Sequence, residues 1–263
     1  MIREVVCLIA HTPTPERAQI LQRALASVLR QTAYPTAIVL VHDISYGDPI
    51  FLEDRLGPIA IHHLSSSSAG ASNAWNLGIA YLSSHWPASY VAILDDDDTW
   101  DSDHLETCLG TARQNHWPDL VLSGIRSCID GQVSEESPLT SLSIEDFLVG
   151  NPGWKGSNTF VSNSAIRQAG CFTPDLPSCN DRDLAIRMLS IPDLRLAFTG
   201  KNTVTWYHDT NRPSLSLAGS SGKLQGLAQF YRLHNEKMSP DIREQFFSRA
   251  FRLFGFTREQ ILS

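Results

Sequence analysis

The stretch Tyr90 to Asp103, YVAILDDDDTWDSD, constrains this chain more than any other. Its first five residues are apolar without a break and read as a buried strand. Four aspartates follow at once. With Asp101 and Asp103 they put six carboxylates into nine residues, and no basic residue lies among them. Two carboxylates about 5 Å apart repel by roughly 3 kcal/mol at an effective dielectric near 20. A fold tolerates such a run where side chains splay into water or where a cation sits among them. Hard divalent ions prefer carboxylate oxygens, and Mg²⁺ is commonly held by one or two carboxylates plus substrate phosphates. A strand that ends in acidic residues can therefore hold a metal that holds a diphosphate. The plainer reading is an acidic start to the next helix. It suits Asp101 and Asp103, and the ligand reading suits Asp95 and Asp97.

The residues before this run alternate strand and helix signals. Glu4 to Ala10 reads as a buried strand, and Ala37 to Val41 as a second that ends at His42-Asp43. Pro58 to Leu64 is a weaker third. Between the first two, Glu16 to Gln31 carries an apolar stripe at helical spacing (Ile20, Leu21, Leu25, Val28, Leu29), with Thr14 as N-cap and Pro15 at the first helical position. Ser65 to Gly70 is a small-residue loop and Ala71 to Ser84 is again helical. This alternation implies crossover units and a mostly parallel sheet. Ligands of such sheets lie beyond the carboxyl ends of the strands. Three strand ends here carry polar groups: His11-Thr12, His42-Asp43 and the aspartate run.

The second half changes style. Asp119 to Ile125 reads as a strand, with a hairpin turn at Asp130-Gly131 before Gln132-Val133. Thr159 to Val161 reads as a strand, with Ser162 or Asn163 capping a short helix that stops at Gly170. A helix follows from about Asn180 to Leu189, with Asn180 as N-cap and Asp181 in the first turn. Asp183 and Arg187 are four apart and are expected to pair on its surface. Leu194 to Phe198 and Thr203 to Tyr207 read as two strands. From Lys223 the pattern is helical, with seven basic and four acidic residues. Its aromatic residues are expected to pack on the main domain; a homodimer or peripheral membrane contact is the competing use.

Composition narrows the function classes. The chain has 263 residues and a formal charge of −7, so no basic face dominates as a nucleic-acid binder would show. Its five cysteines are odd in number and form no CxxC pair, which fits neither a disulfide framework nor a zinc knuckle. A reduced, cytoplasmic setting is the expectation. No apolar run approaches the length of a membrane span.

At this point several ordered segments together resemble a known family. Arg23 to Asp43 is similar to the first helix and second strand of family 2 glycosyltransferases with the GT-A fold. GASNAWNLGI (Gly70 to Ile79) is similar to their glycine-alanine-arginine-asparagine segment, and VAILDDDDTW to their DxD strand. Gly156 to Phe172 resembles the acceptor-side strand and helix, and NDRDLAIRML (Asn180 to Leu189) the acidic start of the catalytic helix. The resemblance implies an α/β, Rossmann-like GT-A domain with a mostly parallel sheet and a helical C-terminal tail. Residues 1–105 would form the nucleotide-sugar half, 106–220 the acceptor half and 221–263 a helical extension.

It also implies roles. His11, Thr12, Asp43, Asn73, Asn76, Asp95 and Asp96 would line the nucleotide-sugar donor. Asp97 would be the principal ligand of Mn²⁺ or Mg²⁺, with Asp98 and His208 as further metal candidates. Asp181 would be the catalytic base, and Trp154 and Asn180 would contact the acceptor, the tryptophan by stacking on a sugar face. Arg212 would neutralise phosphate. UDP is the nucleotide the resemblance suggests; the acceptor is a hydroxyl of a saccharide, a lipid-linked sugar or a small molecule. Two positions depart from the pattern: Trp75 stands where the family has arginine, and Asn180 where it has glutamate. These departures are what a catalytically inactive nucleotide- or sugar-binding module would show.

A rival uses the same residues. Asp95, Asp97 and Thr99 spell the DxDxT motif of haloacid-dehalogenase-type phosphohydrolases, in which Asp95 would be the nucleophile. That motif normally lies on the first strand. It also needs a later lysine ahead of paired aspartates, which none of the four lysines supplies.

Overall fold

The computed structural model describes residues 4–49, 51, 53–208 and 218–263. Within them, ten strands form one sheet. Its parallel half is built from β1 (Val5–His11), β2 (Ala37–Asp43), β4 (Ile59–Ser66) and β5 (Tyr90–Asp95), in the order β4-β2-β1-β5. A two-residue β3 (Arg55–Leu56) closes the outer edge, antiparallel to β4.

β1, β2 and β5 are apolar up to their carboxyl ends because both faces are covered. Val6, Leu8, Val39, Val41, Val91 and Ile93 enter one core, against Ala74, Ile79 and Leu82 of α2 (Ala71–His85). The alternate residues Cys7, Ile9, Ile38, Leu40, Ala92 and Leu94 enter the other, against Leu21, Leu25 and Val28 of α1 (Pro15–Leu29). Fully burying one such aliphatic side chain stabilises the fold by about 1.5–3 kcal/mol. Thr14 occupies the expected N-cap position of α1, although its side chain makes no capping bond.

The other half is mixed. Next to β5 lie β9 (Thr159–Ser162), β7 (Leu120–Ile129), β10 (Leu196–His208) and β6 (Thr99–Trp100). β8 (Gln132–Glu135) forms the expected hairpin with β7. β10 is one strand where two were expected. Its register against β7 shifts between Phe198 and Asn202, and Gly200 there takes φ +68°, so the polar stretch is absorbed as an irregularity. β6 pairs antiparallel with β10, so the acidic run crosses from β5 to the far edge of the sheet.

Helices α3 (His104–Gln114), α4 (Ile144–Val149), α5 (Asn163–Gln168) and α6 (Asn180–Leu189) complete the domain. Ser162 caps α5, accepting from the Ala165 N–H at 3.2 Å. In α6 the cap is Cys179, in the left-handed region at φ +68°, so Asn180 is the first helical residue rather than the N-cap. The C-terminal α7 (Ser221–His234), α8 (Pro240–Phe254) and α9 (Arg258–Leu262) bury Phe230, Phe246, Phe247 and Phe256 in the α2-side core. Phe251 points outward, 62 % exposed. Among the described residues no helix is long and apolar enough to cross a membrane. All five cysteines are free.

Candidate active site

The sheet register brings the three expected strand ends together. His11 lies beside His42, and Ala10 beside Asp95, at the carboxyl ends of β1, β2 and β5. The aspartates after β5 then alternate. Asp96 and Asp98 are buried, whereas Asp95 and Asp97 are only half-buried.

The buried pair is held by protein donors. The Asp96 carboxylate meets His11 Nδ1 at 2.6 Å and Arg17 Nε at 3.1 Å, with Arg17 Nη2 on its second oxygen. Burial alone would raise the Asp96 pKa, but these partners outweigh it and hold it below the ordinary carboxylate value. Asp98 accepts from Ser157 Oγ at 2.6 Å and from the Tyr207 N–H at 3.1 Å. Burial and the neighbouring Asp97 push it up to about 8.

The open pair has a different setting. Asp97 has Arg17 Nη2 3.4 Å from one oxygen, and Arg23 donates to its backbone carbonyl at 2.6 Å. Asp95 is raised by burial first, then by Asp98, Asp181 and Asp97. Asp181, in the first turn of α6, is therefore within electrostatic reach of the strand end although 86 residues separate the two in sequence. No side-chain hydrogen bond holds the Asp181 carboxylate among the described residues. Burial lifts its pKa to about 6, against the pull of Lys155 and Lys223.

Other expected site residues are engaged differently. Asp43 is 3 % exposed; it accepts from Ser45 and, at 2.7 Å, from the Gly70 N–H, tying the β2 end to the start of α2. Thr12 is half-buried just past β1. Asn73 donates to Asp175 at 2.9 Å and to the Ala69 carbonyl. Asn76 donates to the Phe172 carbonyl at 2.8 Å and accepts the Phe172 N–H at 2.9 Å, so both ends of its amide clamp the turn after α5. Trp75, at the family's arginine position, is a core residue with its ring 4.6 Å from Phe172. Asp183 pairs with Arg187 as expected, at 2.7 Å, but in the interior rather than on the helix surface, and also accepts from His234 and Thr173.

Trp154 departs from its expected role. Its ring is 1 % exposed, packs edge-on against Phe147, and donates through Nε1 to Thr159 Oγ1 at 2.7 Å. No ring face is open to stack on a sugar, because the indole fills the core between α4 and β9. Asn180 is half-buried and its Oδ1 has no hydrogen-bond partner among the described residues. His208 ends β10, stacked on Trp206 with ring centroids 5.3 Å apart. Arg212 lies outside the described residues.

The run's counter-charges come from residues that sequence reasoning did not select. Arg17 and Arg23 both project from α1 onto the aspartates, and Arg23 also lies 3.7 Å from the Tyr207 ring centroid. Six carboxylates without a local base were themselves the signal that remote arginines must meet them.

A metal is tested by the donors present. Asp96 and Asp98 are occupied by protein donors, and among the described residues no group of three or more His, Cys, Asp or Glu side chains is placed to hold an ion. Asp97 remains half-open. That suits a Mg²⁺-like ion held by one carboxylate, water and substrate phosphates, and does not suit an all-protein cage.

Residues 10–170 match the family model for glycosyl transferase family 2. The chain belongs to that family. The match covers more than half of its length and sets aside the phosphohydrolase reading of DxDxT. Among solved structures, S. aureus TarS residues 1–349 in complex with UDP-GlcNAc is similar at a TM-score of 0.63 and 14% identity, over 97% of this chain and 74% of that one. The same TarS fragment in complex with UDP gives 0.61 and 12%, over 97% and 73%. A longer S. aureus TarS structure gives 0.62 and 13%, covering 44% of its own length. These likenesses show a GT-A-like fold. No curated protein matches the sequence significantly.

Proposed function

We propose that this glycosyltransferase moves a sugar from a nucleoside-diphosphate sugar to an acceptor hydroxyl with inversion at the anomeric carbon. The observation that supports the reading is that Asp181 of α6 lies within electrostatic reach of Asp95 at the β5 end, with Asp95, Asp97 and Asp181 all acting on Lys155. The nucleotide lies across the ends of β1 and β2, near His11, Thr12 and Asp43. UDP is the favoured nucleotide, because similar structures hold UDP or UDP-GlcNAc.

Asp97 would hold a divalent ion, Mn²⁺ or Mg²⁺, with His208 as a further candidate at the end of β10. When bound, such an ion stabilises the negative charge of a departing diphosphate as a Lewis acid. The chain's own residues do the rest. Asp181 accepts the proton of the acceptor hydroxyl as its oxygen bonds to the anomeric carbon. The bond from that carbon to the diphosphate oxygen breaks on the opposite face. Asp96, fixed by His11 and Arg17, and Asp98, fixed by Ser157 and Tyr207, keep the strand end in shape while their neighbours meet ligand.

The test is a thermal-shift titration with UDP, GDP, CDP and dTDP, each in Mn²⁺, Mg²⁺ and EDTA, on the natural chain and on Asp97→Ala. A ligand that binds only the native state stabilises it by about 2.7 kcal/mol at one hundred times its Kd. A metal-dependent shift with one nucleotide, lost in Asp97→Ala, is expected. No shift with any of the four in either metal defeats the donor reading.

A further inference from the structure

We infer that Lys155 is a binding residue for the donor's diphosphate, a fixed cation of the protein that acts beside any ion on Asp97. The inference rests on the donor reading above.

The segment that carries Lys155 is pinned against the acidic run. A Cβ on Gly156 would lie 2.8 Å from Asp95 Oδ1, so the backbone packs on that carboxylate and a larger residue would have to displace it. Ser157 Oγ accepts the Asp95 N–H at 3.0 Å and donates to Asp98. The Lys155 N–H is itself bound to Asn158 Oδ1 at 2.8 Å. The side chain therefore starts from a rigid base beside the strand end.

Its ammonium is held by an aromatic ring rather than by a carboxylate. Nζ lies 3.2 Å from the centroid of Trp206, which is stacked in turn with His208. Asp98, Asp181, Asp95 and Asp97 all act on Lys155 electrostatically. Yet it forms no ion pair within 4.0 Å with a carboxylate of the described residues. The contrast with Arg17 is direct, since that guanidinium is spent on Asp96. A ring attracts a cation without offering a strong acceptor to its N–H groups. Lys155 thus keeps donors for a ligand while standing between the DxD strand and the proposed base. A diphosphate is the anion this place calls for. Carboxylates beside it, Asp97 and Asp181 among them, would repel it, and the nearby positive charge offsets them at the point where leaving-group charge develops.

The experiment is calorimetric titration of the full chain with UDP and with uridine, in EDTA and in Mn²⁺. The variants are Lys155→Met, Lys155→Arg and Trp206→Leu. Lys155→Met should weaken UDP binding roughly tenfold or more, the worth of a hydrogen bond to a charged group. Uridine binding should not change. The loss should be largest in EDTA, where no ion shares the diphosphate. Lys155→Arg should recover most of it, and Trp206→Leu should lose part of it by releasing the ammonium. Equal weakening of UDP and uridine, or no weakening of either, overturns the inference and leaves the donor reading standing. A natural chain that binds none of the four nucleoside diphosphates, even in Mn²⁺, removes the donor reading and this inference together.

Discussion

Asp95–Asp98 and Asp181–Asp183 are both acidic segments at the edge of a buried element, and in both a buried carboxylate fixed by several donors alternates with one set in a different field. In the first, Asp96 and Asp98 are buried and take donors from β1, α1, β10 and Ser157, while Asp95 and Asp97 are half-buried and Asp97 shares Arg17 with Asp96. In the second, Asp183 takes three side chains, and Asp181 takes no side-chain donor among the described residues. The difference lies in the neighbours of the open groups. Asp95 and Asp97 crowd other carboxylates, which is a place for a cation. Asp181 sits among two lysines and desolvating surroundings, which is a place for a proton. Similar residues thus acquire opposite chemistry from what surrounds them.

The comparison breaks first at Asp181. Asp181→Asn should cost about 10²–10⁴ in kcat, the usual worth of general-base catalysis, with UDP affinity unchanged. It should also raise stability near neutral pH. A carboxylate whose pKa is lifted by folding disfavours the folded state wherever it is ionised. Turnover assays paired with urea unfolding read both effects, and a loss of stability with the loss of rate would remove the distinction between the two aspartates.

Asp183→Ala should do the reverse. It leaves His234, Arg187 and Thr173 without their shared acceptor, and breaking a buried charged network costs about 3–5 kcal/mol. Its folded pKa is lowered, so its contribution is present above the unfolded value near pH 4 and is lost as pH falls through the folded one. Urea midpoints at pH 7 and at pH 3 should show a large difference between the natural chain and the variant at the first and a smaller one at the second.

The partition within these strings was not legible in the sequence, although the strings were. Periodicity located the parallel strands and α1 because each alternates between two cores with consistent apolar faces. The resemblance of ordered segments then pointed to the family. Which aspartate is held depends on donors from positions 17, 157 and 207, far off in sequence and brought to the β5 end by α1, by the segment ahead of β9 and by the pairing of β10 with β6. β10 itself read as two strands because its Thr199–Asn202 stretch is polar and glycine-containing. Trp154 carries no mark in sequence of its burial; the packing of Phe147 and Thr159 around it decides that.

The smallest expected effect sharpens the comparison most. If Asp181 is the base, kcat/KM should fall on the acid side with a limb near pH 6, since only the ionised form accepts a proton. Between pH 7 and pH 6 the loss is only about twofold, and below that the rate falls about tenfold per unit. Lys223 is one of the two charges that hold the Asp181 pKa down, so Lys223→Met should move the limb to higher pH. Its ammonium lies against Cys179 and the Phe254 ring, and methionine keeps the aliphatic contact while removing the charge. A limb that stays in place in Lys223→Met, with a melting temperature like that of the natural chain, would assign the titration to a different group. An upward shift would tie the rate-controlling proton to the first turn of α6, and would separate it from the Asp95–Asp98 string.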